Sequence, residues 1–86
     1  MYKIKLAKSS IKALESFDGK TQEKIYNALE AIKTNPYQGN KIKKLRGKLK
    51  GRFRYRVGDI RIVYNTVDES KTIFVEAIGA RGSIYQ

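Results

Sequence analysis

Apolar and polar residues alternate with period two at the start of the chain, where Tyr2, Ile4 and Leu6 are separated by Lys3 and Lys5. Period two predicts a strand with one buried face, and the lysines suit an exposed sheet edge. Helical spacing follows. Ile11, Leu14 and Phe17 form one stripe, with Ser9 or Ser10 as the expected cap and Asp18-Gly19 as the stop. Ile25, Ala28, Leu29 and Ile32 predict a second helix, capped by Asp18 or Thr21 and running to about Thr34. Asn35-Pro36 ends it, because the residue before proline avoids the helical region. So short a connection makes the helices an antiparallel pair. Residues 41–50 hold Ile42, Leu45 and Leu49 among lysines and are broken by Gly47 and Gly51, so mostly irregular chain is expected there.

From Arg52 to Val57 the alternation returns, with Phe53, Tyr55 and Val57 on one side and Arg52, Arg54 and Arg56 on the other. Gly58-Asp59 is a hairpin turn dipeptide, and Ile60 to Tyr64 reads as the returning strand. A two-residue loop fixes the register: Val57 faces Ile60, Arg56 faces Arg61, Tyr55 faces Ile62, Arg54 faces Val63 and Phe53 faces Tyr64. Apart from Val63, the apolar partners then share one face, and Arg54, Arg56 and Arg61 gather on the other. Val67 to Lys71 predicts a second turn, and Thr72 to Ile78 a third strand broken by Gly79. The order of strand, helix pair and antiparallel β-meander predicts an α+β domain. Two helices cover one face of a four-stranded, mostly antiparallel sheet, and the basic face stays open. Residues 1–86 are expected to form a single domain.

Composition narrows the chemistry. The chain has 86 residues, a formal net charge of +11, no cysteine and no histidine. Disulfides and thiolate chemistry are excluded, as are the usual general acid/base and the commonest metal ligand. Asp59, Asp68, Glu69 and Glu76 make no paired acid/base signature, and no phosphate-cradling glycine loop occurs. No cofactor and no metal site are expected. No apolar run approaches the roughly 20 residues of a membrane span, and a soluble, cytoplasmic protein is expected. The charge points to a polyanionic partner. Lys41, Lys43, Lys44, Arg46, Lys48, Lys50, Arg52, Arg54 and Arg56 follow one another with no acid between them, which suits a nucleic-acid backbone. Like charges facing each other across a hairpin cost stability unless an anion offsets them, and the arginine fork matches phosphate. Phe53, Tyr55 and Tyr64 belong to the core side, whereas Tyr85 lies outside any periodic pattern and could stack on a base.

The stretch KKLRGKLKGRFRYRVGDIRIVY, followed by FVEAIGARGSIY, resembles the RelE/ParE superfamily of bacterial type II toxins, most closely its RelE-type mRNA interferase branch. The resemblance rests on Leu45-Arg46-Gly47, Arg54-x-Arg56, Gly58-Asp59, Arg61-x-x-Tyr64 and Gly79-x-Arg81 in combination. It implies a toxin that cleaves mRNA in the ribosomal A site and is silenced by a partner antitoxin, with a toxin–antitoxin hetero-oligomer on operator DNA. Cleavage would be metal-independent and use the 2′-hydroxyl of the message. Arg54, Arg61, Arg81 and Tyr85 would carry the reaction. RNA would be bound by Lys41, Lys43, Lys44, Arg46, Lys48, Lys50, Arg52 and Arg56. A gyrase-directed toxin of the same fold, or a repressor subunit that binds nucleic acid and antitoxin, is the alternative. Some ribonuclease members carry lysine where this chain has Arg52 and Arg54, and relatives often carry histidine at the position of Ala80. Arginine does not give up its proton, so no general base is assigned.

Overall fold

A computed structural model of the protein describes residues 1–80. The chain runs β1 (Lys3–Leu6), α1 (Lys8–Ser16), α2 (Gly19–Thr34), β2 (Ile42–Lys44), a 3-10 turn (Gly47–Leu49), β3 (Phe53–Val57), β4 (Ile60–Val67) and β5 (Thr72–Ala80). The strands form one sheet in the order β1-β5-β4-β3-β2. β1 runs parallel to β5, and the other neighbours are antiparallel. The α+β class holds, but the sheet has five strands rather than four. The additional one is β2, in the stretch expected to be irregular. Its three residues pair with β3, placing Ile42 opposite Tyr55, Lys43 opposite Arg54 and Lys44 opposite Phe53. A lone isoleucine among lysines gives no alternation; the strand is imposed by the partner's edge.

Leu14 from α1 and Ile25, Ala28, Leu29 and Ile32 from α2 pack on Ile62, Tyr64, Ile73, Val75 and Ile78 of the sheet. Ile25, Ile32, Ile62 and Ile73 are wholly buried, and each such side chain contributes roughly 1.5–3 kcal/mol. Tyr64 is buried too, and its hydroxyl donates to the Pro36 carbonyl at 2.7 Å, tying β4 to the chain that leaves α2. Burial pushes the Tyr64 hydroxyl well above the ordinary tyrosine range. No helix among the described residues is long and apolar enough to cross a membrane.

Helix ends differ from the expected ones in one case. Asp18 caps α2, accepting from the Thr21 N–H at 2.8 Å, and the Thr21 hydroxyl together with that N–H holds its carboxyl below the usual range. α1 instead starts after Ala7, and neither serine caps it. Ser10 is buried and donates to the Val75 carbonyl at 3.1 Å, locking α1 onto β5, while Ile11 of the expected stripe is exposed. β5 also outruns its expected end: Gly79 does not break it but pairs with Arg61, and Ala80 pairs with Ile60. The pairing slips once. Val63 faces Ala77 and Tyr64 faces Val75, so Glu76 is left over as a β-bulge.

Candidate nucleic-acid interface

The β3–β4 register is the one the turn requires, from Val57 opposite Ile60 to Phe53 opposite Tyr64. Gly58 has φ +58, and Asp59 does not share a positive φ. A loop with glycine in that conformation at its first central position matches the right-handed twist of the strands it joins. The tip is therefore what puts Arg56 across from Arg61.

Three rungs cross the sheet face away from the helices. At the tip, Arg56 faces Arg61, and Arg61 faces Gly79. The Arg56 N–H also donates to the Lys41 carbonyl at 3.0 Å, which extends this rung to Lys41. One step back, Lys43, Arg54, Val63 and Ala77 stand in line. In the third rung the Leu45 N–H donates to the Arg52 carbonyl at 3.0 Å, with Asn65 and Glu76 alongside. The Arg52 Nε donates to both Glu76 oxygens, at 2.7 and 2.9 Å, and the Asn65 amide donates to Glu76 Oε2.

The first two rungs contain no acid, and among the described residues no ion pair neutralises their charges. Arg54 is half-buried, and its Nε is sealed from solvent with no hydrogen-bond partner among the described residues. Val63 beside it is only 4 % exposed, so the centre of this face is a dry floor under arginine rather than a solvated surface.

Of the basic residues singled out from the sequence, Lys41, Lys43, Arg52, Arg54, Arg56 and Arg61 come together on this face. Lys44 does not: it pairs with Phe53 and so lies on the helix-facing side. Arg46, Lys48 and Lys50 are exposed around the 3-10 turn beyond β2. There Lys43, Lys44, Leu45 and Arg46 line an open cleft of about 650 Å³. Arg81 and Tyr85 lie outside the described residues. Glu76 and Asn65 were missed. The available signal was an acid inside the most apolar run of the chain, TIFVEAI, but alternation alone does not reveal a bulge.

A second polar cluster sits at the far end of the sheet from the hairpin tip. The Tyr2 hydroxyl donates to Asp68 at 3.0 Å, the Tyr37 hydroxyl also donates to Asp68, and Tyr37 lies 3.0 Å from the Thr66 hydroxyl. The two tyrosine donors, Tyr37 foremost, hold the Asp68 carboxyl below its ordinary range. Tyr2 is pushed up to about 12, chiefly by its hydrogen bond with Tyr37. This cluster ties the N-terminus, the segment after α2 and the β4–β5 turn together, and it is remote from the arginines.

Residues 4–85 match the family described as the ParE toxin of type II toxin–antitoxin systems, parDE. The chain belongs to this family. Solved structures of related toxins share the toxin's fold. The YoeB/ParE toxin from Agrobacterium tumefaciens superposes with a TM-score of 0.83 at 24% identity, covering 92% of this chain and 98% of that one. For the archaeal RelE–RelB complex from Pyrococcus horikoshii the values are 0.81, 26%, 95% and 97%. For the intact E. coli RelBE toxin–antitoxin complex they are 0.80, 21%, 93% and 96%. No curated protein sequence matched the chain. The resemblance to the RelE/ParE superfamily read from the sequence therefore holds, and the family match spans residues 4–85.

Proposed function

We propose that this toxin is a ribosome-dependent mRNA endoribonuclease restrained by a cognate antitoxin. One observation carries the reading. Arg54, Arg56 and Arg61 meet on adjacent acid-free rungs, and the Arg54 Nε is buried without an acceptor among the described residues. Phosphate oxygens are the acceptors such a face lacks.

The face can orient a phosphodiester and neutralise charge, and the message carries its own nucleophile. The 2′-oxygen attacks phosphorus in line as the bond to the 5′-oxygen breaks. The upstream fragment is left with a 2′,3′-cyclic phosphate and the downstream one with a 5′-hydroxyl. Arg54 and Arg61 hold the non-bridging oxygens as charge grows on them. Arg81 stabilises the leaving oxygen, and Tyr85 stacks on the base to set the in-line angle. The 2′-hydroxyl proton passes to water or a ribosomal group, and the departing 5′-oxygen takes a proton from the same sources. RelE is described in complex with RelB in the archaeal structure, and an acidic, amphipathic antitoxin segment suits this basic face.

The test is cleavage of ribosome-bound message by the purified toxin, with the new ends mapped. A cyclic or 3′-phosphate terminus supports the mechanism, and a 3′-hydroxyl terminus sinks it. The ParE name of the matching family favours a second reading, a toxin directed at DNA gyrase. Intact messages together with DNA-damage signalling would select it.

A further inference from the structure

The acid on the basic face has no role in the mechanism above, and an acid there should repel RNA. Glu76 occupies the bulge of β5, where it has no cross-strand partner. A bulge re-aims a side chain, and here the re-aimed group takes the Arg52 Nε on both oxygens, at 2.7 and 2.9 Å. Asn65 adds a second donor, to Oε2. Guanidinium has five N–H donors in a rigid fork. This contact uses the one on Nε, and among the described residues the terminal nitrogens have no acceptor. Both side chains are about one-third exposed, at 35% and 30%, so a ligand can reach the pair. Arg52 lies two residues from Arg54 on the same face, roughly 6.6–6.8 Å along the chain.

We propose that Glu76 is a positioning residue. It grips Arg52 by Nε and so presents the two terminal guanidinium nitrogens to an RNA phosphate next to the one held by Arg54. With three hydrogen-bond contacts from two donors already on its two oxygens, the carboxylate serves as an anchor rather than as a proton acceptor. The inference rests on the endoribonuclease reading, but the grip itself can be measured without cleavage.

Charge and position predict opposite signs. If Glu76 only subtracts charge, E76A tightens RNA binding and cleavage rises with it. If Glu76 positions Arg52, E76A leaves binding of a single-stranded RNA equal or tighter, yet slows single-turnover cleavage by about tenfold or more, since misplacement is costly to rate. E76Q keeps an acceptor for Nε and should recover most of the rate. In an R52A background, E76A or E76Q should have no further effect, because the two side chains act as one unit. If E76A does not fold, E76L and R52A/E76L carry the cycle, because leucine keeps bulk at the bulge and offers Nε no acceptor.

The cleavage-independent arm is NMR of the Arg52 Nε–H. It should be protected from solvent exchange in the wild-type chain and shift on addition of RNA, with both properties lost in E76A. An unprotected Nε–H in the wild type, or E76A cutting as fast as the wild type, would overturn the proposal. So would losses from E76A and R52A that simply add. If the wild-type toxin cuts no message, the endoribonuclease reading fails, and the exchange and RNA-shift measurements alone decide the grip.

Discussion

Arg54 has a donor sealed from water and, among the described residues, nothing to give it to. A buried unsatisfied donor costs roughly 1–3 kcal/mol, and more when charged. Lys43 directly across adds like-charge repulsion. The free protein therefore holds Arg54 against its own stability, and a phosphate oxygen at the Nε would relieve the cost. Two consequences separate Arg54 from an ordinary core residue. Arg54→Ala, and likewise Arg61→Ala, should slow message cleavage by ~10²-fold or more, on the scale of losing one charge-stabilising group. Urea unfolding of Arg54→Ala should show no loss of stability, whereas truncating a packed side chain there would show one. Full activity in both alanine variants would move the active site elsewhere on the chain.

At the scale of elements, the hairpin turn decides whether the face exists. A Cβ on Gly58 would meet nothing within 4 Å, so substitution there acts through backbone strain alone, at φ +58. Gly58→Ala should cost ~1–2 kcal/mol. It should also lower cleavage through the displaced Arg56–Arg61 rung, while NMR shifts at the β1–β5 pairing stay in place; unchanged stability would mean the turn is not held in this conformation. The cluster at the other end of the sheet gives a pH signature. Asp68 is depressed by its tyrosine donors, so its contribution to stability is fully present above the ordinary aspartate value of 3.8 and is lost as pH falls through the lower folded value. Urea midpoints followed between about pH 6 and 2 should fall more steeply in the wild type than in Asp68→Asn. The elements that local pattern specifies were legible in the sequence: β1, α2 with its Asp18 cap, and the full β3–β4 register. Those that depend on a partner strand were not. β2 forms because β3 offers an edge, Gly79 stays extended because Arg61 pairs with it, and Glu76 is re-aimed by a slip between β4 and β5. The arginine cluster followed from the hairpin alone, whereas the Arg52–Glu76 contact needs the third strand beside it.

Across the whole molecule, the two faces of the sheet divide the labour. The helix-facing side buries the core, and the other carries charge from three strands over a dry centre at Val63. The face that no helix covers thus sets Lys41, Lys43, Arg52, Arg54, Arg56 and Arg61 against one acid, Glu76. RNA binding by such a face should be driven largely by release of counterions from phosphates, and each neutralised phosphate adds to the salt dependence. Lys41, Lys43, Arg52, Arg54, Arg56 and Arg61 set an upper bound for contacts on the strands, and Arg52 counts in part because Glu76 already holds it. If about four to six phosphates are engaged, log affinity for single-stranded RNA should fall against log salt with a slope of roughly −3 to −4. Lys44→Ala should leave that slope unchanged, because its pairing with Phe53 turns it to the other side. Lys43→Ala, one residue away, should reduce the slope by about 0.7, the share of one phosphate. A flat salt response, or equal slopes for these two variants, would place RNA binding away from this face.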